Sequence, residues 1–282
     1  VAPPAAIHEG SYSSQSARQG GTWAVVIGIN DYPGGSDDLN SAVNDAEDVA
    51  QAMRTLGVGN DHMLMLRDGQ ATRGTLLQAV SWLAAHAGPD AVAGFFYAGH
   101  VRKTPNGNEE IVTSDGTSVT DGELANALNR VQATRSWVAI AACYGGGFDE
   151  VLRPGRVLTA AAGRNSLAYE NSALGRSYMV EYMVRQAMIQ GRASATVQTA
   201  FNYAVDRISR EHPGREPVQI DNSNGALDLR PPGADRASEP QPEPETAPSA
   251  PPADEPPASD RPPSDGSQQC SKKGLFHICS NG

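Results

Sequence analysis

The sequence predicts an α/β fold built on a mainly parallel sheet with helices on both faces. Three observations lead there. Between Gly21 and Arg230, apolar runs of strand length alternate with segments of helical periodicity. Several of those runs are apolar throughout, as strands buried on both faces are. The composition then breaks near Pro231: residues 231–266 hold twelve of the chain's 20 prolines and no Leu, Ile, Val, Met or aromatic residue. Such a stretch cannot bury enough apolar surface to offset its ordering entropy, so it reads as a disordered, acidic, Pro-rich linker. The expected organisation is a flexible segment over 1–21, a folded domain over 22–230, that linker, and a small module over 267–282 carrying two cysteines.

Within the domain, Trp23 to Ile29 is a continuous apolar run and reads as the first strand. Val43, Ala46, Val49, Ala50 and Met53 recur at helical spacing, predicting a helix over Asn40–Leu56 with Gly57 as its stop. Met63–Leu66 is a second short strand. Thr72 caps a helix reaching Ala87. The Val-, Phe- and Tyr-rich run Ala91–Ala98 is the third strand, and Glu110–Thr113 a short one. Thr120-Asp-Gly-Glu123 has the form of a capping box and starts a helix to about Val131. Trp137–Ala142 and Val157–Ala161 are strands. Helices over Gly175–Gln190 and Ser194–Glu211 and a strand over Pro217–Ile220 complete the pattern.

Composition excludes some functions as defaults. The net charge is −10 with no long Lys/Arg run, which argues against nucleic acid and anionic membrane as partners. No apolar stretch has the length of a membrane span. Cys143 stands alone in the domain, while Cys270 and Cys279 enclose a short loop. That pairing suggests a local disulfide, hence an extracellular or cell-surface location; two free thiols in a cytoplasmic tail are the alternative. A zinc site from Cys270, His277 and Cys279 is one ligand short.

Parallel α/β sheets bind ligands beyond the carboxyl ends of their strands. Tyr97-Ala-Gly-His100 follows the third strand, and Cys143-Tyr-Gly-Gly-Gly147 follows the Trp137–Ala142 strand. A cysteine nucleophile needs a base to take its proton and backbone N–H groups to hold the oxyanion. His100 supplies the first requirement. The Gly145–Gly147 run lets the backbone turn tightly beside the sulfur, freeing the Cys143 N–H for the second. Taken singly, the Cys is a small buried residue, the His a loop residue and the glycines a turn; the conjunction is what points to chemistry.

On these residues the chain resembles the caspase, metacaspase and bacterial orthocaspase group. Ala142-Cys143-Tyr144-Gly145 with His100 upstream resembles the caspase signature. Phe95 to His100, Trp23 to Asn30 and Leu39 to Asp45 are similar to three further metacaspase stretches, and Ala160–Gly163, Ala168-Tyr-Glu170 and the helix from Gly175 are similar to the small-subunit half. The resemblance implies a three-layer, caspase-like sandwich around a six-stranded sheet. It also implies peptide-bond hydrolysis through a Cys143 thioester, with His100 as general base and the N–H groups of Cys143 and Val101 as the oxyanion hole. Protein or peptide is the implied partner. No cofactor is implied, and calcium activation is left open.

Two positions depart from the group: Val101 stands where a Gly is usual, and Ala141 where an Asp is usual. Asp45 matches the other acidic residue of the group's pocket for Arg or Lys, and reads equally well as a first-turn acid favoured by the helix dipole. Substrate binding is thus expected at Asp45 and Ala141, with cleavage after basic residues as the implied preference. The short Phe148–Arg156 connection predicts a single uncleaved chain. A caspase-like scaffold without strong catalysis is the competing reading.

Overall fold

The computed structural model describes residues 20–193, 196–223, 225–232, 269–273 and 276–281, the last two ranges as backbone only. The domain opens with β1 (Thr22–Gly28), followed by α1 (Ala42–Thr55), β2 (Met63–Arg67), α2 (Arg73–His86) and β3 (Val92–Ala98). A small antiparallel sheet comes next: β4 (Val101–Lys103), β5 (Glu109–Val112) and β6 (Ser118–Thr120). Then come α3 (Asp121–Leu128), β7 (Arg135–Ala141), β8 (Arg156–Ala160), β9 (Glu170–Asn171) and β10 (Arg176–Ser177). A wide helix with i→i+5 bonding spans Val180–Ile189, and α4 (Val197–Glu211) and β11 (Val218–Asn222) close the domain. Beyond it lie β12 (Gln269–Lys273) and β13 (Phe276–Asn281).

The central sheet has six strands in the order β11-β8-β7-β3-β1-β2, all parallel except the edge strand β11. The expected architecture is therefore present. All seven residues of β1 are buried because both faces are covered. Its side chains alternate: Trp23, Val25 and Ile27 join the core under α2 and α3, while Ala24 and Val26 join the core under α1, the wide helix and α4. Helix starts follow the side-chain chemistry of the sequence. Thr72 and Thr120 each accept the N–H three residues on, and Glu123 returns the bond to Thr120.

The short strands β4, β6 and β9 have no counterpart in the sequence expectation, and two expected elements differ in extent. The segment from Gly175 is not helical at its start: Arg176 and Ser177 form β10, paired antiparallel with β9. Tertiary bonds hold it extended, because Asp45 Oδ1 accepts the Ser177 N–H at 3.0 Å and Asp48 Oδ2 accepts Arg176 Nε at 2.8 Å. The last strand runs on to Asn222, paired residue for residue with β8. The Phe148–Arg156 connection is packed against the core, with Phe148 and Val151 fully buried.

The expected N-terminal segment and Pro-rich linker lie outside the described residues. In the C-terminal hairpin the register sets Cys270 opposite Cys279; their side chains, and so the expected disulfide, also lie outside them. Among the described residues no helix is long and apolar enough to cross a membrane.

Candidate active site

Strands β3 and β7 are neighbours with Ala98 level with Ala141. His100 and Cys143 each stand two residues further on, so equal register carries both past the same edge of the sheet. They line one cleft of about 480 Å³, open to solvent. The sulfur sits at its wall, half-buried.

His100 is held from three sides. Gly99 (φ 153°) turns the chain, and a Cβ there would lie 2.5 Å from Tyr97 Oη and 2.7 Å from Tyr32 Oη. Only glycine lets those two hydroxyls approach. Tyr97 donates to the His100 carbonyl at 2.8 Å, and the His100 N–H donates to Tyr32 Oη at 2.8 Å. The ring lies beside Tyr32, with centroids 4.7 Å apart. Nε2 is 2.7 Å from the Asp37 carbonyl, which can only accept. The neutral ring therefore carries its proton on Nε2, which makes Nδ1 the basic nitrogen. Burial lowers the His100 pKa from its ordinary value, with the Asp37 contact acting in the opposite sense.

Two residues past the end of β7, Cys143 opens a strained turn. Tyr144, the next residue, is left-handed (φ 58°), a conformation a bulky side chain rarely adopts. The three glycines that follow take no positive φ; they are required by close approach. A Cβ on Gly145 would lie 2.9 Å from the Ile140 carbonyl, one on Gly146 2.9 Å from Val218, and one on Gly147 2.1 Å from the Glu109 carboxylate. The expected tight turn is present, with the left-handed position on the tyrosine. Glu109 is fully buried and ion-paired at 2.6 Å with Lys103, whose ammonium lies 5.6 Å from the Tyr144 ring. That pair links the hairpin following His100 to the turn following Cys143.

The Ala168 N–H donates to Cys143 Sγ at 3.3 Å. Burial raises the thiol's pKa and outweighs that bond. Neutral thiol beside neutral imidazole is thus the resting state. Val101 is buried at the start of β4 and is not among the residues lining the cleft.

Asp45 and Ala141 both line the cleft, as does Glu170, which the sequence places in a family-like stretch without assigning it a role in the site. Asp45 reaches the site from the first turn of α1 and is 2 % exposed. Burial pushes its pKa up to about 8, the Ser177 hydroxyl and N–H pull it down, and Glu170 and Asp48 push it further up. Burial also raises Glu170, against hydrogen bonds from Asn40 and Ser41. So two carboxylates face the cleft. The second comes from β9 rather than from position 141, where Ala leaves room. A carboxylate following an apolar-aromatic step, Ala168-Tyr169-Glu170, was the only sequence signal for it.

The family model described as the caspase domain matches residues 22–248. The chain belongs to the caspase-domain family. It is 33% identical over 105 residues to Metacaspase-1 of Candida albicans, covering 35% of this chain and 22% of the relative. It is 31% identical over 142 residues to Metacaspase-1 of Candida glabrata, covering 45% and 35%. The matches thus span between about a fifth and a third of those relatives' own length. A solved structure of a Geobacter sulfurreducens protein superposes with a TM-score of 0.59 at 18% identity, over 71% of this chain and 92% of that one, and shows the shared fold.

Proposed function

We propose that this caspase-domain chain is a cysteine endopeptidase with Cys143 as nucleophile and His100 as general base. The observation that carries the reading is the shared cleft: an imidazole and a half-buried thiol at equal register on adjacent parallel strands. His100 Nδ1 takes the thiol proton as Sγ bonds to the scissile carbonyl carbon. The Cys143 N–H stabilises the resulting oxyanion, and the Val101 N–H is the second donor carried by the family resemblance. The carbon–nitrogen bond then breaks as the imidazolium returns its proton to the leaving amine. Water, deprotonated by the same imidazole, hydrolyses the thioester and restores the thiol.

The two carboxylates of the cleft favour Arg or Lys before the scissile bond. A cationic side chain entering between Asp45 and Glu170 would supply the counter-charge that burial denies them. A second reading, a caspase-like binding scaffold, is favoured by the raised thiol pKa and by Val101 lying off the cleft. A fluorogenic panel with Arg, Lys, Asp or Asn before the scissile bond, run on wild type and Cys143→Ala, separates them. Cleavage of the basic substrates by wild type alone is the expected result. No cleavage of any substrate hands the site to the scaffold reading.

A further inference from the structure

Strand β9 is two residues long and has two edges. One edge is taken by β10, with Ser177 opposite Glu170 and Arg176 opposite Asn171. The other carries β13, parallel, with Ser280 opposite Glu170 and Asn281 opposite Asn171. β12 then pairs antiparallel with β13, giving a four-stranded sheet ordered β10-β9-β13-β12. Glu170 lines the cleft, and so do Ala168 and Tyr169 just before it. An extended peptide docks on a sheet by adding its backbone to a vacant edge. The only edge of β9 that β10 leaves for such a peptide is the one β13 holds.

The hairpin differs in charge from the rest of the chain. Residues 267–282 include Lys272, Lys273 and His277 and no Asp or Glu, in a chain of net charge −10. The cleft beside β9 presents Asp45 and Glu170. The pairing of β13 with β9 spans two register positions, against five between β12 and β13. The hairpin therefore holds together better than it holds to the domain, and leaves as a unit.

We propose that the β12–β13 hairpin is a built-in competitor for extended peptides at the edge of β9, so that peptide reaches Cys143 only when the hairpin undocks. The proposal rests on the peptidase reading for its consequence, but not for its geometry. Release follows from anything that pulls the hairpin away: cleavage in the Pro-rich segment that joins it to the domain, or a partner that binds it.

Two full-length forms test this. One is the double variant Ser280→Pro, Asn281→Pro, which removes the one backbone donor of this pair that faces β9, the other facing β12. The other carries a specific protease site within residues 240–250 and is cut in place. Two readouts are taken on each: amide hydrogen exchange at Glu170 and Asn171, and the labelling rates of Cys143 by a peptidyl electrophile and by iodoacetamide. In both forms exchange at the one of these two amides that faces β13 is expected to quicken about tenfold, while the one that faces β10 serves as the internal control. Peptidyl labelling should quicken by a similar factor, on the order of what two or three backbone bonds supply. Iodoacetamide, which needs no strand edge, should change less than about twofold. Unchanged exchange and unchanged peptidyl labelling overturn the proposal. Peptidyl labelling absent from every form, with iodoacetamide labelling intact, overturns the peptidase reading instead, and the exchange rates then decide the hairpin's docking alone.

Discussion

The two ends of the six-stranded sheet treat their polar groups in opposite ways. At the amino ends of β7 and β8, Arg156 is buried at 1% exposure without a carboxylate, yet its guanidinium donates to Ser136 Oγ at 3.0 Å, the Val151 carbonyl at 2.5 Å and the Leu128 carbonyl at 3.1 Å. Burial still pushes its pKa down to about 9, with Arg153 adding to the fall. Close by, Trp137 Nε1 donates to Thr159 at 2.9 Å. At the carboxyl ends, a half-buried thiol, the buried Asp45 and the partly buried Glu170 share one cleft, with a left-handed tyrosine in the turn after the thiol. Satisfied groups at one end stabilise the fold. At the other end burial disfavours the charged forms of Asp45, Glu170 and Cys143 although each has a hydrogen-bond partner, and a ligand that brings counter-charge recovers that cost.

The largest expected effect breaks that comparison in two. Cys143→Ala should lower peptidase activity by a factor on the order of 10³ or more while moving Tm by less than about 2 °C. Arg156→Met should do the reverse. It takes the guanidinium donor from the Val151 carbonyl and one of two donors from the Leu128 carbonyl, which keeps the Val131 N–H, and it removes packing at a fully buried position, so a stability loss of about 3 kcal/mol in urea titration is expected, with activity per folded molecule unchanged. Equal losses of stability for the two variants would erase the distinction between the ends.

The sequence made one end far more legible than the other. The strands of the central sheet, the capping box at Thr120, the cap at Thr72 and the placement of His100 and Cys143 all follow from local patterns: apolar runs, a hydroxyl three residues before an N–H, and residues just past parallel strands. Arg156 and Glu109 carry no local signal, because their burial depends on partners up to 28 residues away for Arg156 and on a turn met only in space for Glu109. The same holds for β10. Residues 175–177 have a helical neighbour in sequence, and long-range bonds to Asp45 and Asp48 override it. Glu170 stands in a stretch similar to the family's, but its place in the cleft has no local signal because its strand is two residues long, too short for any periodicity to mark.

The next effect in size probes how His100 is aimed. In Gly99→Ala the new Cβ would overlap the hydroxyls of Tyr97 and Tyr32, which bond the His100 carbonyl and N–H. The ring must shift, and kcat should fall about 10²-fold with KM little changed. Adding Tyr32→Phe to that variant removes one of the two clashing hydroxyls and should recover part of the loss. No recovery would mean the defect lies elsewhere than in the crowding.

A smaller effect reads the resting charges of the dyad. Burial lowers His100 and raises Cys143, so both are neutral near pH 7. Iodoacetamide labelling of Cys143 should therefore climb steadily with pH and keep climbing past 9, the ordinary thiol value. The acid limb of kcat/KM, set by protonation of His100, should fall below pH 6.5. A labelling rate flat between pH 6 and 8 would instead mark a thiolate–imidazolium pair.

The smallest effect concerns Asp45. With its pKa near 8 in the free protein, Asp45 is mostly protonated at pH 7 and ionises as the pH rises to 9. A bound Arg or Lys needs the ionised form, so binding must release a proton, and raising the pH removes that cost. KM for an Arg substrate should then fall up to about tenfold between pH 7 and 9. A substrate with Asn before the scissile bond should show no such fall. Asp45→Asn should flatten the Arg profile at a high KM, whereas Glu170→Gln should lower the pH at which the fall occurs, because Glu170 is one of the charges pushing Asp45 up. An Arg profile of unchanged shape in Asp45→Asn would move the counter-charge for basic residues away from α1 and leave Glu170 on β9 to carry it.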